Sequence, residues 1–124
     1  MRALSDLVRA IESVGVPWSN GAFTAADRPA PPYIELEACY SVSSYADNAC
    51  FMQWMAYDVG LYCAVRDYAL EWRLEHALAA SGFAYEKTVT PIDSEGVIET
   101  AYQLSAYEDA AAKEENGDNS NGKA

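Results

Sequence analysis

Tyr33-Ile34-Glu35-Leu36-Glu37-Ala38-Cys39-Tyr40-Ser41-Val42 alternates in character at a period of two. Ile34, Leu36, Ala38 and Tyr40 fall on one side, and Glu35, Glu37 and Ser41 on the other, which is the pattern of a half-buried β-strand. Ser43-Ser44-Tyr45-Ala46-Asp47-Asn48 then has the composition of a turn. Beyond it, Gln53 to Val65 reads as a longer strand. Its odd positions, Met55, Tyr57, Val59, Leu61, Cys63 and Val65, are nearly all apolar, and its even face carries Trp54, Asp58, Gly60 and Tyr62.

Upstream, Leu4, Leu7, Val8, Ile11 and Val14 recur at helical spacing, with Asp6, Arg9 and Glu12 on the other side. The pattern predicts a helix from Ala3 to Val14, stopped by Gly15. Ser19 to Pro32, with Pro29, Pro31 and Pro32, reads as a long loop. Downstream, Asp67 is the expected N-cap of a second helix running to about Ala80, with Glu71 near its positive end. Leu70, Leu74, Ala77 and Leu78 form its core stripe and Ser81-Gly82 its stop, while Tyr68 and Trp72 lie off that stripe. Phe83–Thr90 and Val97–Tyr107 make a hairpin about Asp93-Ser94-Glu95-Gly96. Its expected inward residues are Phe83, Tyr85, Val89, Ile98, Tyr102 and Leu104.

The order is therefore α-β-β(-β)-α-β-β. It predicts an α+β fold, a mostly antiparallel sheet of four to five strands with two helices packed on one face. A chain of 124 residues has room for one domain, here residues 1–107, and its 51% hydrophobic content suffices for a core. Residues 108–124 contain no large apolar side chain, so a disordered acidic tail is expected there.

Eight bases against nineteen acids give a net charge of −11. Taking away the five acids and two bases of 108–124 leaves 14 and six, so the domain itself carries −8. Nucleic-acid binding through bulk electrostatics needs a basic footprint, which this composition disfavours. No apolar run is long enough for a membrane helix and no signal peptide is evident, which suggests a protein made in a cytosol, with no membrane partner. Cys39, Cys50 and Cys63 form no CxxC pair, so reduced core thiols are expected.

Chemistry is sparse. His76 is the only histidine and sits mid-helix, without ligand-spaced Cys or His. Glu35 and Glu37 share a strand face but read as the solvated edge of an acidic protein. Glu71 and Glu75 at i,i+4 repel mildly. No nucleophile–base set or phosphate loop is present, so neither enzyme activity, catalytic residue, metal nor cofactor is expected. Nine tyrosines and three tryptophans stand out. These rings either fill a core short of Leu and Ile or face a partner, since Tyr and Trp are enriched at interfaces. Trp54, Tyr62, Tyr68 and Trp72 are the interface candidates, with Tyr68 and Trp72 foremost.

Several segments together carry a family likeness. Pro31-Pro32-Tyr33-Ile34 opens a strand, Tyr45-Ala46-Asp47-Asn48 occupies the turn, and Val59-Gly60-Leu61-Tyr62 closes the long strand. The helix holds Leu70-Glu71-Trp72-Arg73-Leu74-Glu75-His76-Ala77-Leu78, and Ile92-Asp93-Ser94-Glu95-Gly96 precedes the last strand. Over about Met1 to Tyr107 the chain resembles the tail completion (tail terminator) and head–tail joining proteins of long-tailed phages and prophages. The resemblance implies a structural virion protein at the tail neck, assembled in the host bacterial cytoplasm. It implies a homo-oligomeric ring, commonly a hexamer, that caps the tail tube and offers a docking face to the head–tail connector. DNA would pass through the lumen without specific binding. Tyr45, Asp47 and Asn48, with the Ser19–Pro32 loop, are then candidates for reaching neighbouring subunits. An acidic DNA mimic or inhibitor from a phage or mobile element is the alternative.

Overall fold

A computed structural model describes residues 2–46 and 49–107, with the side chains of residues 40–54 left aside. Two helices, α1 (Leu4–Val14) and α2 (Tyr68–Ala80), accompany five strands: β1 (Trp18–Asn20), β2 (Tyr33–Ala46), β3 (Ala49–Cys63), β4 (Glu86–Ile92) and β5 (Val97–Ala106). The sheet order is β1-β2-β3-β5-β4. β1 runs parallel to β2 and every other neighbouring pair is antiparallel, so the fold is α+β with a mixed, mostly antiparallel sheet.

The apolar stripe of α1 buries Leu4, Leu7, Val8, Ile11 and Val14 against the sheet. Its N-terminal cap, Ala3, offers no side-chain acceptor. The need is met across the fold instead, because Leu4 N–H donates to the Tyr107 carbonyl at 2.7 Å and Tyr107 N–H to the Arg2 carbonyl at 3.1 Å. That exchange ties the helix start to the end of β5. α2 is capped by Asp67, whose Oδ1 accepts from Leu70 N–H at 3.1 Å. It ends with Gly82 at φ 88° and with Phe83 N–H donating to the Leu78 carbonyl at 3.0 Å, a Schellman ending that tucks Phe83 into the core.

Both helices cover the same sheet face. Ile34 and Leu36 of β2, Tyr57, Val59, Leu61 and Cys63 of β3, and Tyr102, Leu104 and Ala106 of β5 meet Leu70, Leu74 and Leu78 of α2 there. Among the described residues the opposite face carries no helix.

Several expectations need correction. β1 falls in what reads as the start of a loop, because its parallel pairing of Trp18 with Ile34 joins residues distant in sequence. The expected turn over Ser43–Ala46 is strand, and β3 starts at Ala49 rather than Gln53. Cys39 is exposed, not core: the pairing steps from Ala38↔Tyr57 to Tyr40↔Ala56, so Cys39 is the extra residue of a bulge. Cys63 is a buried free thiol as expected, and the Cys50 side chain lies outside the described residues. Glu35 is buried rather than a solvated edge, because β2 is an interior strand. Val89, on the outer strand β4, is exposed, and Val65 follows the end of β3 and is 74% exposed. Residues 108–124 lie outside the described residues. Among the described residues no helix is long and apolar enough to cross a membrane.

Candidate assembly surfaces

One surface is the outer side of α2. The helix contains two carboxylates and turns both inward. Glu71, 3% exposed, accepts from Arg66 at 2.8 and 3.0 Å and pairs with Lys87 Nζ at 3.0 Å. The Arg66 hydrogen bond, with help from Lys87 and against the cost of burial, holds the Glu71 carboxyl below its usual range. Glu75 pairs with the same ammonium at 2.6 Å and accepts from Tyr102 O–H at 2.8 Å. Lys87 on β4 therefore bridges both acids, and its pKa is raised first by the bond to Glu75.

What remains outside is Tyr68, Ala69, Trp72, Arg73, His76, Ala79 and Ala80, a helix face without an acid on a strongly acidic chain. Tyr68 is 67% and Trp72 58% exposed. The Arg66 guanidinium sits 4.6 Å above the Tyr68 ring, and the His76 ring lies 3.8 Å from that of Trp72. These contacts brace the rings without covering them. Arg73 donates to the Val14 carbonyl at 3.1 Å, tying α2 to the end of α1.

The second surface is the helix-free face of the sheet. Register lines up Tyr33, Tyr62 and Glu99 across three strands, then Glu35, Gly60 and Ala101, then Glu37, Asp58 and Gln103. Tyr33 and Tyr62 stack at 5.0 Å, and Phe23 meets Tyr33 edge-on at 5.5 Å. The same Phe23 N–H donates to Glu35 Oε2 at 3.0 Å, so the 21–32 loop roofs this end of the face. Tyr62 O–H donates to Glu99 Oε2 at 3.1 Å. A Cβ at Gly60 would lie 3.0 Å from that carboxylate and from the Tyr62 ring, so the glycine makes room for the pair.

Burial raises the Glu99 pKa, partly countered by the Tyr62 hydrogen bond, and the charges of Asp58, Glu37 and Glu35 add to the rise. Burial and the neighbouring Tyr62–Glu99 bond likewise drive the Tyr62 pKa upward. Asp58 Oδ1 is buried with no hydrogen-bond partner among the described residues. It lines an open cleft of about 760 Å³ that runs from Cys39, Ala56 and Gln103 to Phe83 and Tyr85, beside the stretch of β5 that β4 does not reach. Burial, then Asp58, push the Cys39 thiol pKa up, which disfavours a reactive thiolate. Among the described residues no group of three His, Cys, Asp or Glu could hold a metal ion.

The third surface is the outer part of the β2–β3 hairpin. β5 pairs with β3 only from Met55 to Cys63, and β1 with β2 only at Ile34–Leu36. Among the described residues Ser41–Ala46 and Ala49–Trp54 therefore pair only with each other. They form a two-stranded arm about 20 Å long at roughly 3.3 Å per residue. It leaves the sheet next to the Cys39 bulge.

The predicted interface residues separate among these surfaces. Tyr68 and Trp72 share the exposed side of α2, while Tyr62 is half-buried on the bare sheet face. Tyr45, opposite Cys50, and Trp54, opposite Val42, lie on the arm, with their side chains outside the described residues. Asp47 and Asn48 also lie outside the described residues. The gathering of Glu99 and Asp58 with Glu35 and Glu37 escapes sequence reading, because it depends on strand order. No family model and no curated protein matches the chain.

Proposed function

We propose that this protein is a structural subunit that assembles with copies of itself into a ring. In this reading it is a tail terminator that caps the head-proximal end of a phage tail tube and joins it to the head connector. The observation that carries the proposal is the β2–β3 arm, whose outer strands have no third strand beside them among the described residues. A lone two-stranded hairpin is marginal in water and presents unpaired edges on both sides, so an arm of this length is best explained by a neighbour that receives it. The uncovered Tyr68 and Trp72 support the same reading, since large rings held in place on a surface suit a contact. The charge of −8 in residues 1–107 suits a lumen through which DNA slides without sticking.

The four carboxylates on the bare sheet face favour a second reading, a DNA mimic that occupies a basic enzyme cleft. Two features weigh against it. Glu35 is buried and accepts from Phe23 N–H, and Glu99 accepts from Tyr62 O–H, so both carboxylates are engaged within the subunit rather than presented outward as phosphate-like groups. Negative-stain electron microscopy of the purified full chain tests the proposal. Ring-shaped oligomers are expected; a monomer that instead binds basic nucleic-acid enzymes in a salt-sensitive manner would favour the mimic.

A further inference from the structure

We infer that the outer face of α2 docks on the bare acidic face of the sheet of a second copy, head to tail. The inference rests on the ring reading and specifies which two surfaces meet. The faces lie on opposite sides of the molecule, because both helices cover one side of the sheet and the carboxylates line the other. A contact between opposite sides is heterologous, and repeated around an axis it closes into a ring.

The occupant is argued from complementarity. The exposed positions of α2 are aromatic, Ala, Arg73 or His76, because Glu71 and Glu75 have been drawn inward by Arg66 and Lys87. An acid-free face that bears Arg73 among aromatic rings is complementary to an acidic surface, and this chain of −11 carries one itself. On that counterpart Glu37 lies opposite Asp58, and Asp58 lines the open cleft with Ala56, Gln103 and Ser105, which leaves room for incoming rings. Beside Cys39, Asp58 keeps a carboxylate in that cleft. The indole N–H of Trp72 or the guanidinium of Arg73 from the next copy would complement that charge. A sheet with one face packed by helices and the other without a helix layer gains a second layer in this way.

Two full-length variants test the contact. Tyr68→Ala/Trp72→Ala removes the rings, and Glu37→Lys/Gln103→Lys places two cations on the sheet face at exposed positions. Circular dichroism melting checks that each variant folds. Native mass spectrometry then reads assembly of wild type, each variant and their equimolar mixture. Each variant alone should associate at least about tenfold more weakly than wild type. The mixture should form heterodimers and nothing larger, because one intact α2 face and one intact sheet face remain. Association of the wild type should also weaken as salt rises. Rings that persist in both variants would overturn this inference and leave the ring reading standing. Wild-type dimers sensitive to both variants, without rings, would sink the ring reading alone. A wild type that stays monomeric would remove both, and a ring-deleted variant that loses assembly while the lysine-substituted one keeps it would place the partner surface elsewhere.

Discussion

Leu36 and Glu37 are adjacent in β2, yet they belong to two different surfaces. On the side of Leu36 the sheet is closed by α1 and α2 into a dry core where Leu74, Val59 and Tyr102 have no exposure. On the side of Glu37 the same strands carry carboxylates, a tyrosine pair and a loop that roofs only one end. The first face obtains its stability from area removed from water. The second gathers carboxylates on one side of the sheet, where burial and the neighbouring acids raise the Glu99 pKa. In the proposed assembly, that second face is the one that meets another copy.

The sharpest way to break that contrast is in the core. Leu74→Ala should destabilise the subunit by about 2–5 kcal/mol, read by urea unfolding. Glu71→Ala comes next. It strips Arg66 and Lys87 of a buried acceptor, and because both cations are about one-third exposed, the loss should be about 2 kcal/mol. The low Glu71 pKa means that this stabilisation is present above the ordinary carboxylate range and fades as pH falls through the folded-state value, so wild type and variant should converge in acid.

Glu99→Gln should act in the opposite direction. A carboxyl whose folded pKa is raised binds its proton more tightly when folded, so the penalty is absent below the unfolded pKa, near 4.3, and builds as pH rises through the folded value. The amide still accepts from Tyr62. The variant should therefore melt higher than wild type at neutral pH, with the gap closing in acid; a variant that melts lower at pH 7 would refute the account of that face. The smallest stability effect belongs to Trp72→Ala, within about 0.5 kcal/mol in the monomer, while its effect falls on association.

Both helices were readable from sequence because their signals are local. The Leu4–Val14 stripe and the Asp67 cap need nothing beyond a few neighbouring residues. Tyr68 and Trp72 could be singled out for the same reason, as positions off the stripe. β1 could not be, since Trp18 becomes strand only by meeting Ile34 after a long loop. Nor could the exposure of Cys39, which follows from one bulge interrupting an otherwise regular alternation. Burial of Glu71 depends on Lys87 arriving from another strand, and the carboxylate face depends on β5 lying between β3 and β4. Periodicity indicates which side of a strand is apolar; it is silent on which strand lies alongside.

Sedimentation velocity of the full chain over a range of concentrations tests most directly whether this polypeptide functions as a building block. A discrete species of ring size, diminished by Tyr68→Ala/Trp72→Ala with the fold intact, is the predicted result. A single subunit-sized boundary at every concentration would contradict it.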